Sequence, residues 1–204
     1  MNEALHILLF NVAGPKRPAI KLISLEIMVV TYSDLVFRTA FRVMCDRVDA
    51  ESVVVRVFGS VERSGIGFVP LQSEEMENML LRRTILFCRM KIFRRRVSWL
   101  FGEQRPVFVQ AVPEVADQDD YTVKQAWQLF CRASFKMTPL QRIVYALSEL
   151  DSVSVERTAS ILGLPSFRVN LARIRAVKAV RNELSLYNCE DKYHSYVSFI
   201  RQVH

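Results

Sequence analysis

Residues 138–181 read TPLQRIVYALSELDSVSVERTASILGLPSFRVNLARIRAVKAVR, and this stretch decides the fold class. Thr138 at an N-cap, Pro139 at the first helical position and Gln141 three residues after the threonine make a capping box, a specific start for a helix. Apolar residues then recur at Leu140, Ile143, Val144, Leu147 and Leu150, the spacing of one helical stripe. Ser154 is placed to cap a short helix with Val155, Thr158, Ala159 and Leu162 inward. Gly163-Leu164-Pro165 breaks the pattern, and a longer helix follows from about Phe167 to about Leu184. A short helix, a glycine turn and a longer basic helix form the helix-turn-helix pattern, and the basic last helix weighs against a plain three-helix bundle. On that helix, Val169, Ala176 and Val180 share the inward stripe, while Arg168, Leu171, Arg175 and Lys178 face out and Arg173 falls at the edge. Cations there suit phosphates, and Leu171 suits a thymine methyl or a packed neighbour.

Working outward, charge divides the 204-residue chain. Lys+Arg number 28 against 21 Asp+Glu, a net charge of +7 that points to a polyanionic partner. The excess sits in two acid-free blocks. One is Arg82, Arg83, Arg89, Lys91, Arg94, Arg95 and Arg96; the other is Arg157, Arg168, Arg173, Arg175, Lys178 and Arg181. Over residues 97–120, between the blocks, Glu103, Glu114, Asp117, Asp119 and Asp120 oppose a single Arg105, and Pro106 and Pro113 discourage helix. The expected organisation is a basic module, a linker with little regular structure, and a second basic module.

The first module also reads as helices. Leu35, Val36, Ala40, Val43 and Met44 form one stripe; Ala50, Val53, Val54, Val57, Phe58 and Val61 form a stronger one, with Asp49 expected as its N-cap. Gly59, Gly65, Gly67 and Pro70 interrupt the pattern, and a third helix is expected from about Glu74 to about Arg96, with Met76, Met79, Leu80 and Phe87 inward. Val55 lies off the second stripe beside Glu51, Ser52 and Arg56, where an apolar side chain suits a docking contact.

Several function classes are disfavoured. No Gly-rich phosphate loop, H-E-x-x-H or G-x-S-x-G motif occurs, so no catalytic residue, metal ligand or cofactor is assigned and the reading is a binding protein rather than an enzyme. Cys45, Cys88, Cys131 and Cys189 are too far apart for sequence-local zinc ligation and are expected as buried reduced thiols. No apolar run is long enough to span a membrane, and the N-terminus lacks a secretory pattern, so a cytoplasmic location is expected.

Two segments resemble the sigma factors of the extracytoplasmic-function group, part of the sigma-70 family. Leu35 to Arg42 followed by Asp49 to Phe58 resembles the helices of its first domain. Pro139 to Arg142, Ser154 to Ala159, Leu162 to Pro165 and Val169 to Arg181 resemble its C-terminal helix-turn-helix domain. Departures fall at Ser52 and Val55, where the family has Asp and Gln, and at Leu171 and Ala172 in the recognition helix.

The resemblance implies an all-α protein of two small helical domains. Residues 1–30 would be an N-terminal extension, with an edge strand along Ile20 to Val30, a flexible tail or an upstream translation start as its competing readings. Residues 31–97 would be a region 2-like domain, 98–135 a linker, 136–187 a region 4-like domain and 188–204 a tail. It implies core RNA polymerase and promoter DNA as partners, with an anti-sigma factor as a further one. Glu51, Ser52, Val55 and Arg56 would dock on polymerase. Arg94, Arg95 and Arg96 would hold the melted strand, and Arg168, Leu171, Arg175 and Lys178 would meet the distant promoter element. A sigma-like adaptor acting through protein contacts alone and a one-component helix-turn-helix regulator are the competing readings; the second explains only the C-terminal module.

Overall fold

A computed structural model of the chain describes residues 19–64, 73–100, 120–186 and 193–202. All regular structure among them is helical: α1 Ala19–Met44, α2 Arg47–Arg63, α3 Ser73–Leu100, α4 Asp120–Lys136, α5 Pro139–Tyr145 continuing as a π turn Ala146–Leu150, α6 Val155–Leu162, α7 Ser166–Ser185 and α8 Tyr193–Gln202. No helix among them is long and apolar enough to cross a membrane.

The amphipathic stripes explain the packing. Val36, Ala40, Val43 and Met44 of α1 meet Ala50, Val53, Val57 and Val61 of α2 and Leu80, Ile85 and Cys88 of α3 in one core. Met79 and Phe87 are partly buried at its edge. The α1–α2 turn is set by Cys45 in the left-handed region (φ 54) and by Asp46, whose carboxylate accepts the Asp49 N–H at 2.9 Å. Asp46, rather than Asp49, is therefore the N-cap of α2. The expectation failed because Arg47 and Val48 carry no core contact and so gave the apolar period no sign that the helix had begun.

The second half follows its local signals closely. Thr138 and Gln141 form the reciprocal capping box. Ser154 accepts the Arg157 N–H at 3.1 Å, and Gly163 takes φ 63 while the Leu164 N–H closes on the Ala159 carbonyl at 3.0 Å. That left-handed cap is what glycine supplies without a Cβ penalty.

Residues 120–135 depart from the expected linker. They lie in α4, which buries Ala126, Trp127, Phe130, Cys131, Ala133 and Ser134. The acidic and proline-bearing residues 101–119 lie outside the described residues, and their composition had masked the apolar period that starts just after them. Trp127 stacks on Phe41 of α1 at 4.5 Å between ring centroids and lies 5.3 Å from Phe130, which stacks on Tyr145 of α5 at 5.8 Å. Aromatic contacts thus run from the first helix into the fifth. Likewise, the described part of the N-terminal extension is helix, with Met28 and Val29 buried, so no strand forms along Ile20 to Val30. In the C-terminal tail, α8 buries Tyr193, Tyr196, Val197 and Ile200 against the same core.

One buried ion pair also joins the halves. Arg42 on α1, 2% exposed, pairs with Asp151 just after the π turn. Asp151 also accepts the Thr39 hydroxyl at 3.2 Å and has the Arg38 Nε at 3.4 Å. Arg42 Nη2 donates to the Arg201 carbonyl of α8 at 2.8 Å.

Candidate nucleic-acid interface

The α6–Gly163–α7 unit presents one face of α7. Val169, Ala172, Ala176, Val180 and Leu184 are buried at helical spacing, and Val144, Ala159, Val169 and Ala172 close a small core beneath the turn. With that stripe fixed, Arg168, Leu171 (45% exposed), Arg175 and Lys178 all reach solvent on the opposite side. The structure therefore brings the four together on one helix. Arg173, at the edge of the buried stripe, turns back to an ion pair with Glu149.

The face is broader than the sequence pattern indicated. Phe167 and Ile174 are also exposed. Ile174 sits one turn beyond Asn170 and was missed because an apolar residue in a helical period is assigned inward unless the rotation is followed residue by residue.

Arg157 leaves the second basic block: its guanidinium donates to Asn78 Oδ1 at 2.9 Å and Glu77 Oε2 at 2.8 Å on α3. Arg82 donates to the Ser160 carbonyl at 3.1 Å. These contacts seat α6 on the first half of α3.

The later half of α3 is cationic and apolar together. Leu86, Met90 and Phe93 (67% exposed) form an outward stripe at spacings of four and three, with Arg89 and Arg94 exposed beside it. The expected triplet divides. Arg94 points to solvent. Arg95 is engaged with Asp49 and, at 3.4 Å, Asp46, at the start of α2. The Arg96 side chain lies outside the described residues. Lys91 likewise pairs with Asp49 at 2.8 Å. Sequence order alone gave no sign that two cations of this block would turn to the α2 N-terminus, where a carboxylate pair and the helix dipole meet.

On α2, Val55 is 41% exposed and Arg56 is exposed, with Glu51 and Ser52 half-buried on the same side. Glu51 is paired with Arg47 at 3.1 Å, a solvent-screened contact. Val48, exposed one turn before Ser52, extends the patch. It was missed because Asp49 was read as the cap, which left Val48 outside the helix.

No family model matches the chain. Two curated proteins resemble it. It is 27% identical over 169 residues to the RNA polymerase sigma-E factor of Streptomyces coelicolor, covering 80% of this chain and 88% of that protein. It is 28% identical over 169 residues to the RNA polymerase sigma-E factor of Streptomyces avermitilis, covering 80% and 87%. Over four fifths of its length, the chain is thus similar to proteins named as RNA polymerase sigma factors.

Proposed function

We infer that the protein is a transcription initiation factor that binds core RNA polymerase and directs it to specific promoters, acting by contact rather than catalysis and in the cytoplasm, where polymerase and chromosome are. The observation that carries the reading is the capped helix-turn-helix, which leaves Arg168, Leu171, Arg175 and Lys178 on one free face of α7. Its resemblance to proteins named as RNA polymerase factors supplies the partner. Residues 136–187 would read the distant promoter element. Residues 31–97 would dock on polymerase through Glu51, Ser52, Val55 and Arg56. Arg94 would hold the melted strand, joined by Phe93, whose exposed ring offers a stacking surface for unpaired bases. Arg95 and Arg96 belong to the same proposal, Arg95 only after release from Asp49. An anti-sigma factor would act by covering these faces.

Run-off transcription with purified core polymerase over a genomic promoter library tests the reading. Discrete transcripts that depend on the added protein are expected; polymerase binding without any transcript would sink it.

Docking and DNA reading can be probed separately. Val55→Asp should weaken polymerase binding while changing stability by no more than about 0.5 kcal/mol, as expected for a surface site away from core features. Val54→Asp, at a buried position, should destabilise markedly. Equal losses of stability in the two would place Val55 in the core and remove it from the interface.

On α7, Lys178 lies further from the helix start than Arg168 and Leu171, and is expected at a phosphate. Lys178→Ala should weaken binding to all DNA sequences alike and lower the salt slope by about one. Leu171→Ala should leave that slope alone and lose about 1 kcal/mol or more at a single base position. Titrations of the full chain against its selected site at several salt concentrations separate the two, and parental binding by both variants would rule out α7 as the recognition helix.

A further inference from the structure

One side of α7 takes no part in the function above. Between α7 and α8 lies a cleft of about 850 Å³, lined on α7 by Asn170, Ile174, Lys178 and Arg181 and on α8 by Tyr193 and His194, with the Arg173–Glu149 ion pair in its wall. Its volume is that of a small-molecule site, but such sites are mostly apolar, and here only Ile174, Val177 and the Tyr193 ring are. Charged and amide side chains and one imidazole make up the rest.

Charge decides the sign of the occupant. Arg173 and Glu149 neutralise each other at 2.5 Å. Lys178 and Arg181 are exposed and carry no ion pair among the described residues, so the cleft keeps two uncompensated positive charges. Arg181 is also held in place, its guanidinium 4.9 Å above the Tyr193 ring, and the His194 ring meets the same tyrosine edge-on at 5.7 Å. Tyr193 is itself fixed, buried with its hydroxyl 3.4 Å from that of Tyr145. The donors are thus placed before any ligand arrives, which lowers the cost of binding one.

We propose that this cleft seats the phosphate backbone of DNA, on the flank of α7 away from α6, through Lys178, Arg181 and His194, an inference that rests on α7 being the recognition helix. Rotation supplies the placement. At about 100° per residue, Val169 and Ala172, packed with Ala159 of α6, lie about 110° to one side of the face made by Arg168, Leu171, Arg175 and Lys178. Ile174, Val177 and Arg181 lie about as far to the other side. In a helix-turn-helix the first helix crosses the backbone on its own flank of the groove. A major groove has two such walls, and the cleft stands where the second one passes. Lys178 belongs both to the outward face and to the cleft, so the two surfaces are continuous. Helix α8, outside both segments that resemble sigma factors, thereby adds a contact that α6 and α7 lack by themselves.

The full chain is bound to a duplex that it selects from a random pool. Phosphates of that duplex are ethylated, and those whose ethylation blocks binding are mapped on both strands. The expected map has blocking phosphates on one strand, flanking the base pairs read by α7, and these become indifferent in Arg181→Ala. The same variant should lower the salt slope by about one for all sequences alike. His194→Glu places a carboxylate in the first turn of α8, which holds no acid and whose dipole suits one. Its melting temperature should hold or rise, while DNA affinity falls about tenfold at low salt and less at high salt. A merely structural role for either side chain would move the melting temperature and leave the phosphate map alone. The parent's map needs no variant and decides if one does not fold.

If Arg181→Ala and His194→Glu keep the parent's map, slope and affinity while Leu171→Ala still loses its base position, the cleft is not a backbone seat and the recognition helix stands. If no duplex is selected, or Leu171→Ala and Lys178→Ala are indifferent too, the recognition helix falls and the cleft with it. Binding of polyglutamate that depends on Arg181, with no flanking phosphates in the map, would make the cleft a seat for an acidic protein and overturn the proposal as well.

Discussion

Asp151→Ala is expected to lower the free energy of unfolding by about 3–5 kcal/mol, the usual loss when one partner of a buried ion pair is removed. The size follows from what stays behind. Arg42 is nearly inaccessible, and without Asp151 its guanidinium keeps its hydrogen bond to the Arg201 carbonyl but has no facing carboxylate. Urea denaturation at pH 7 gives the value directly. A change below about 1 kcal/mol, the level of an exposed pair, would show that Arg42 escapes to solvent and that the pair does not hold the halves together. Exchanging both partners for apolar residues of similar volume, Arg42→Met with Asp151→Leu, should recover much of the loss.

The same site has a signature in pH. Burial holds the Asp151 carboxyl above its ordinary value of 3.8, against the pull of Arg42, Arg38 and the Thr39 hydroxyl. An acid with a raised folded pKa binds its proton more readily in the native chain than in the unfolded one. Its contribution therefore favours the native state most below about 3.8 and declines as pH rises through the folded value. Asp151→Asn should remove that decline from the stability–pH curve; an unchanged slope would mean that other carboxylates set it.

Trp127→Ala should match the first effect, at about 3–5 kcal/mol for a buried Trp cut to Ala. Trp127 stacks on Phe41 and leans at a tilt against Phe130, so its loss leaves a void where α1, α4 and α5 meet. Because the core is continuous from α1 to α8, both variants should still unfold in one transition by circular dichroism, and the Asp151 variant, which keeps the buried Trp127, by tryptophan fluorescence as well. A loss under about 0.5 kcal/mol would mean that α4 is not part of the core.

Legibility in the sequence followed the range of the interactions. Helices α5 to α7 were readable because Thr138, Gln141, Ser154 and Gly163 act within four residues of themselves. The outward positions of Arg168, Leu171, Arg175 and Lys178 then followed from rotation alone. Helix α4 carried its own period at Ala126, Trp127, Phe130 and Cys131, but averaging it with the acidic residues before it hid the signal. Arg42 was not readable at all. Sequence rules place arginine outside, and the carboxylate that lets it stay inside lies 109 residues away. For the same reason the engagement of Arg95 with Asp49, and the turning of Arg157 toward Glu77, had to come from the fold.

The π turn at Ala146–Leu150 stores one residue beyond what its helix needs. Its wide loop closes with the Asp151 N–H on the Ala146 carbonyl at 2.9 Å, one residue more than an α turn holds. Four residues wound at about 100° each turn the chain nearly as far as these five do, so losing one would let the turn tighten while Leu150 and Asp151 keep close to their directions. Deleting the codon of the half-buried Ser148 is therefore expected to be tolerated better than deleting one inside α7, where no surplus residue exists to absorb it.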